Sequence, residues 1–293
     1  MKIIQAILLS AALNAFAADQ APDAAAGGAK TDPTAVYRKM DNPGAPSSLD
    51  LVFGKKDGAS YAARMKAVQA IPDNLSEPEI QSLIFFLHRR IADDNLQPME
   101  LNAIKNDIVC RLMNQKTKPA GLNLHLVSMY NDPESDYMWR DYCIQFLAPG
   151  CMNANSEEEK KLLIDTLWDA TKESDKGIAG TSLLSLSKLA DKGIVGKDKV
   201  SEKAYDLLTG KKTSNATKIT AMQVCANFRH PKALKTAKEL LSTEKDVSLK
   251  MSSIAAIGAL GGKDDMTLLK PFVESPDNRL RTAAAAASKK LQK

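Results

Sequence analysis

Three segments near the C-terminus repeat one another at a spacing that leaves few folds open to the chain. Lys218–Phe228, Lys250–Leu260 and Arg281–Leu291 begin 32 and 31 residues apart. Each opens on a basic residue, fills its middle with small residues and closes on a large apolar one. A period of this length with helical patterning marks a stack of identical supersecondary units, because one such unit cannot bury its own apolar face. Between the repeats, Ala233–Leu241 and Met266–Val273 carry apolar residues at three- and four-residue spacing, as a helix with one buried face requires. His230-Pro231 and Gly261-Gly262 separate first from second helices, and Asp246 and Asp277 stand where the next helix needs an N-cap. Each unit therefore reads as helix, tight turn, helix, capped turn.

The same grammar continues upstream with looser spacing. Tyr61–Ile71 pairs with Ser76–Ile91, Met99–Met113 with Leu122–Tyr130, Arg140–Leu147 with Glu157–Thr171, and Ile178–Leu189 with Val200–Leu208. That makes about six pairs and a closing helix from Asn278 to Leu291. Aromatic residues are only 5% of the chain, which favours helices over a β-sandwich. Ser76 with Glu79, and Ser156 with Glu159, have the spacing of capping boxes. In this register Lys218, Lys250 and Arg281 are expected at equivalent places, Arg140 takes the same role, and Phe228, Leu260 and Leu291 are expected to be equivalent buried residues.

An Asp shortly before a basic residue, a small-residue first helix ending near Gly-Gly, and a Leu-rich second helix resemble the HEAT-like repeats of the armadillo superfamily. The short form also seen in phycobilisome lyases is especially similar. The match is good over residues 215 to 292. The resemblance implies an all-α, right-handed α-solenoid whose second helices line a concave, partner-binding face. It implies a protein or peptide partner and a non-enzymatic scaffold. The lyase-associated repeats imply an alternative, a chromophore-handling or lyase-like activity, and a structural envelope component is a third.

Residues 1–17 read as a secretory signal peptide: Lys2, an apolar run from Ile3 to Leu13 too short to span a bilayer, and Ala15-Phe16-Ala17 before a cut. An exported protein, periplasmic or secreted, is expected. Residues 18–58, rich in Ala, Gly, Pro, Asp and Ser, read as a flexible leader, and 59–293 as the repeat domain. No later stretch suggests a transmembrane segment. Lys+Arg 40 against Asp+Glu 35 is a mild excess, intermixed along the helices, and does not suggest a nucleic-acid partner.

Converging catalytic groups are absent from the sequence pattern. His88, His125 and His230 fall in different helix pairs, none with His or Cys at ligand spacing, and no cofactor or metal motif occurs. His88, at a helix end, reads as a surface residue complementing the helix dipole. Tyr137–Cys143 is the densest aromatic stretch, so Trp139, Arg140 and Tyr142 are candidate partner-binding residues, with packing in the stack as the competing role for Trp139 and Tyr142. Trp168, on a second helix, is a fourth candidate. Of the four cysteines, Cys225 aligns with Ile257 and is expected to be a buried free thiol. Cys110 and Cys151 are the favoured disulfide pair, with Cys110 and Cys143 the alternative, because Pro149-Gly150 would let the backbone turn back before Cys151.

Overall fold

The computed structural model describes residues 44, 46–55 and 59–292; the signal-peptide reading and most of the leader lie outside them. The described residues are all-α: thirteen α-helices and no strand. They are α1 (Tyr61–Gln69), α2 (Glu77–Leu87), α3 (Pro98–Met113), α4 (Leu122–Asn131), α5 (Tyr137–Met152), α6 (Glu157–Ala170), α7 (Ile178–Asp191), α8 (Lys197–Thr209), α9 (Asn215–Asn227), α10 (Ala233–Thr243), α11 (Val247–Leu260), α12 (Met266–Val273) and α13 (Asn278–Leu291). The six helix pairs and the closing helix of the sequence reading are all present.

Two compact units divide the chain, one of residues 29–166 and one containing residues 167–293. In the second unit the first helices α7, α9, α11 and α13 pack on one another in order, α8 and α10 each pack against the first helices on either side, and α12 packs against α13. The repeat is therefore physical as well as textual. Ser214, Asp246 and Asp277 cap α9, α11 and α13 through their side chains. Lys218, Lys250 and Arg281 each stand one turn inside, with backbone N–H groups bonded to the capping residue's carbonyl. Equivalent positions are buried in step: Thr217, Leu249 and Leu280, then Ala221, Ser253 and Ala284, then Val224, Ala256 and Ala287.

One part of the register fails. Leu291 is buried, but Phe228 and Leu260 are only half-buried. Phe228 is the C-cap of α9 and Leu260 the last residue of α11, so both stand where the chain leaves the helix for a turn. The core position belongs one turn earlier, to Cys225 and Ile257, both fully buried.

In the 29–166 unit α1, α3 and α5 are the first helices, with α3 packing on both α1 and α5; α2 packs on α3 and α4 on α5. Part of the expected leader is ordered here. A 3-10 turn, Ser47–Leu49, buries Leu49, and Val52 and Phe53 are buried beside it. Phe53 stacks on Phe86 at 5.3 Å, and the Ser82 hydroxyl donates to the Gly44 carbonyl at 2.9 Å. These residues cover part of the first described helix pair. Gly54 adopts φ 72°, and a Cβ there would lie 3.0 Å from the Arg64 guanidinium, so the turn needs glycine.

The Ser76–Glu79 capping box forms: Glu79 accepts from the Ser76 N–H at 2.9 Å and its hydroxyl at 2.7 Å. At α6, Ser156 Oγ accepts from the Glu159 N–H at 3.1 Å, but the Glu159 carboxylate reaches back to the Asn155 N–H, one residue beyond the box.

Candidate partner-binding surface

Trp139, Arg140 and Tyr142 lie on α5 in the 29–166 unit, and Trp168 lies on α6 in the other, so they are described separately. Trp139 is 1% exposed. Its indole N–H donates to Met129 Sδ at 3.4 Å, and the Lys105 ammonium stands 5.0 Å from its ring. A side chain so enclosed cannot meet a partner, which removes Trp139 from the binding candidates and makes it core. Arg140 is committed locally: its Nε–H donates to the Tyr130 carbonyl at 2.7 Å and its guanidinium lies over the Tyr130 ring at 5.0 Å. Its place after the capping residue Asp136 is that of Lys218. Tyr142 is half-buried, and burial followed by the neighbouring Asp141 raises its phenol pKa.

The expected disulfide is absent, since all four cysteines are free thiols. Helix α5 does not stop at Pro149 but runs on to Met152, so the turn invoked before Cys151 does not exist. Cys151 is buried inside its own helix while Cys110 is exposed on α3. Burial pushes the Cys151 thiol up to about 11 and the Cys225 thiol to about 12, and raises Cys143 further. Such thiols stay protonated and poorly nucleophilic.

Sequence spacing missed a polar cluster that the fold assembles in the 29–166 unit. His88, the C-cap of α2, meets His125 of α4, with Nε2 and Nδ1 3.1 Å apart. Burial, then His125 and Lys105, lower the His88 pKa to about 3. The ring is therefore neutral at pH 7 and does not complement the helix dipole as a cation. Lys105 is itself buried, donates to the Arg89 carbonyl, and is lowered to about 8 chiefly by that burial. Arg64, fully buried, forms a two-point bridge to Asp94 at 2.8 and 3.0 Å. This is a packed polar network. Among the described residues no group of three or more His, Cys, Asp or Glu side chains could hold a metal. A cleft of about 50 Å³ near Met113, Leu122, Asn123 and Pro149 is lined by neither cysteine nor carboxylate.

A different surface runs along the second helices of the other unit. Trp168, half-buried near the end of α6, lies under Lys199 of α8 at 4.4 Å. One helix on, the Tyr205 ring of α8 stacks on His230 at 4.5 Å with the Lys232 ammonium 5.5 Å from its centre, and its hydroxyl lies 3.3 Å from Thr236 Oγ1 of α10. Next, Lys238 of α10 pairs with Asp265 beside α12 at 2.5 Å. Each second helix thus reaches the N-terminal turn of the one after it. His230 Nδ1 accepts from the Lys232 N–H at 3.3 Å, and its buried Nε2 lies 3.4 Å from the Glu202 carboxylate without a hydrogen bond. Exposed apolar side chains, Leu268 and Val273, continue the surface on α12.

Residues 201–289, which run from α8 to α13 and carry the part of this surface from Tyr205 onward, match a family model described as HEAT repeats. The chain is a HEAT-like repeat protein of all-α fold. No curated protein and no solved structure matches it. HEAT repeats suggest a protein-interaction scaffold, and among the described residues no helix is long and apolar enough to cross a membrane.

Proposed function

We propose that this chain is an exported, non-enzymatic scaffold that holds a protein or peptide partner on the second-helix layer of its HEAT-repeat unit. The observation that carries the reading is the coincidence of the HEAT match at 201–289 with a layer where Tyr205 stays half-exposed beside Lys232, continued just upstream of the match by half-exposed Trp168 beneath Lys199. Half-exposed aromatic rings next to cations are the side chains on which interfaces concentrate their binding energy. Trp168 is retained as a partner-binding residue, and Tyr205 and Lys232 join it. Export rests on the signal-like residues 1–17 alone.

Photo-crosslinking amino acids at Lys235, on the exposed face of α10, and at Ala255, on the exposed face of α11, test the surface in full-length protein. Crosslinks to a defined partner from position 235 and none from 255 are expected. Equal crosslinking from both, or none from either, rejects the second-helix layer as the binding face. Export is checked by the mass of the mature N-terminus, expected to begin at Ala18.

A further inference from the structure

We infer that the partner segment held by the second-helix layer is an extended acidic peptide with a carboxylate at every third residue, read by Lys199, Lys232 and Lys263. The inference rests on the scaffold reading and deepens it. Charge is the first ground. Residues 167–293 hold 23 Lys+Arg against 14 Asp+Glu, so this unit carries more than the whole chain's positive excess. The second ground is position. Lys199 lies in the first turn of α8, Lys232 is the N-cap of α10, and Lys263 opens the 3-10 turn that leads into α12. All three therefore stand at the same end of successive second helices, where the helix dipoles add positive potential.

None of these three lysines has a carboxylate partner among the described residues, and all are exposed. Lys199 and Lys232 instead rest on the aromatic faces of Trp168 and Tyr205. A ring face orients an ammonium without neutralising it. The carboxylates nearby are otherwise engaged. Asp191 pairs with Lys197, Asp265 with Lys238, and Glu202 faces His230. Asp198 and Asp264 sit in first turns, where negative charge serves the helix dipole.

Spacing sets the ligand's pattern. The first helices of successive repeats pack on one another, which at the usual separation of about 8–10 Å sets the step from one repeat to the next. A chain in the extended polyproline II conformation advances about 3.1 Å per residue with three residues per turn, so three residues span one repeat and bring a side chain back to the same face. A chain crossing the layer would present a side chain to each lysine at every third position. Single-stranded nucleic acid fits less well, because a lysine already occupies one face of each half-exposed ring and leaves less of it for base stacking.

The test is fluorescence anisotropy on the full chain with labelled twelve-residue peptides of identical composition. One carries four Asp at every third position among Ser and Ala, the other the same four Asp in a block. Binding of the spaced peptide about tenfold tighter than the block, lost in Lys199→Ala/Lys232→Ala/Lys263→Ala and kept in the corresponding triple Arg variant, supports the inference. Equal binding of the two peptides overturns it, as does tighter binding of a twelve-nucleotide single strand. So does a triple Ala variant that binds unchanged while its circular dichroism stays native. Crosslinking of a partner from position 235 that survives in the triple Ala variant would overturn the acidic ligand and leave the scaffold reading standing.

Discussion

Arg64, Arg140, Lys218, Lys250 and Arg281 occupy one place in their helices, the fourth residue after an N-cap of Ser or Asp, and what they touch separates them. Three of them donate to a carbonyl in the segment before their own helix: Arg64 to Val52, Arg140 to Tyr130, Arg281 to Ser275. The anchor therefore pins the incoming chain. At Arg64 it also holds Asp94, whose carboxyl would be pushed up by burial but is kept at about 2 by hydrogen bonds from Arg64 and Arg89. Arg64→Met should cost about 2–4 kcal/mol in denaturant unfolding, because it removes the two-point bridge and leaves buried Asp94 with Arg89 as its ion-pair partner. A titration adds a second expectation. Burial, His125 and Lys105 hold the His88 pKa at about 3, with Asp132 opposing them weakly and Arg89 and Arg90 adjacent in sequence. The unfolded ring titrates near 6.5, so between about pH 6.5 and 3 the unfolded state binds the extra proton. This contribution to stability is whole above 6.5 and falls by up to about 1.4 kcal/mol per unit as pH drops through that window. His88→Gln should flatten the slope, read as the unfolding midpoint against pH. An unchanged slope would place the acid sensitivity elsewhere.

Helices α11 and α13 approach so closely that a Cβ added to Gly258 would lie 2.6 Å from Ala287 Cβ and 2.7 Å from its Cα. Backbone cannot yield as a side-chain tip can, so Gly258→Ala should destabilise by about 1–3 kcal/mol despite its better helix propensity. Ile257→Ala should cost about 2–5 kcal/mol by lost burial and cavity, and Leu260→Ala distinctly less, since Leu260 is half-buried at its helix end. At this scale the sequence was legible where local chemistry repeats. The caps at Asp246 and Asp277 and all thirteen helices could be read because N-capping and helical periodicity act within a few residues. Where the chain departs from local rules, reading failed. Pro149 has no N–H and crowds the carbonyl of Gln145, yet α5 continues past it with Gln145 on the exposed side of the helix. The meeting of His88 with His125 was illegible for another reason. One stands at a helix end and the other inside a helix 37 residues on, with no local pattern linking them, and only the folded chain brings the two rings together. Trp168 and Lys199 lie one repeat period apart, but the period does not say which side chains of successive second helices meet.

Across the HEAT-repeat unit as a whole, stability should behave as a sum over neighbours, so the final helix decides whether the array ends cleanly. Helix α13 packs on both α11 and α12 and buries Leu280, Ala284, Ala287 and Leu291. Among the described residues no second helix follows it. Its sequence answers that position by position: where the two preceding repeats bury Met222 and Ile254, α13 exposes Ala285, and Lys289 and Lys290 lie exposed near its end. Small residues facing water cost little, whereas an isoleucine there would be an adhesive patch. A chain ending at Pro276 removes this closure and uncovers the Gly258 face of α11. It should bind a hydrophobic dye, associate on sizing and unfold at lower denaturant than the full chain. Ala285→Glu in the full chain should change stability by less than about 0.5 kcal/mol, because the side chain already faces solvent. If the shortened chain stays monomeric and equally stable, or if Ala285→Glu is strongly destabilising, α13 is an internal member of a longer packed surface and not its end.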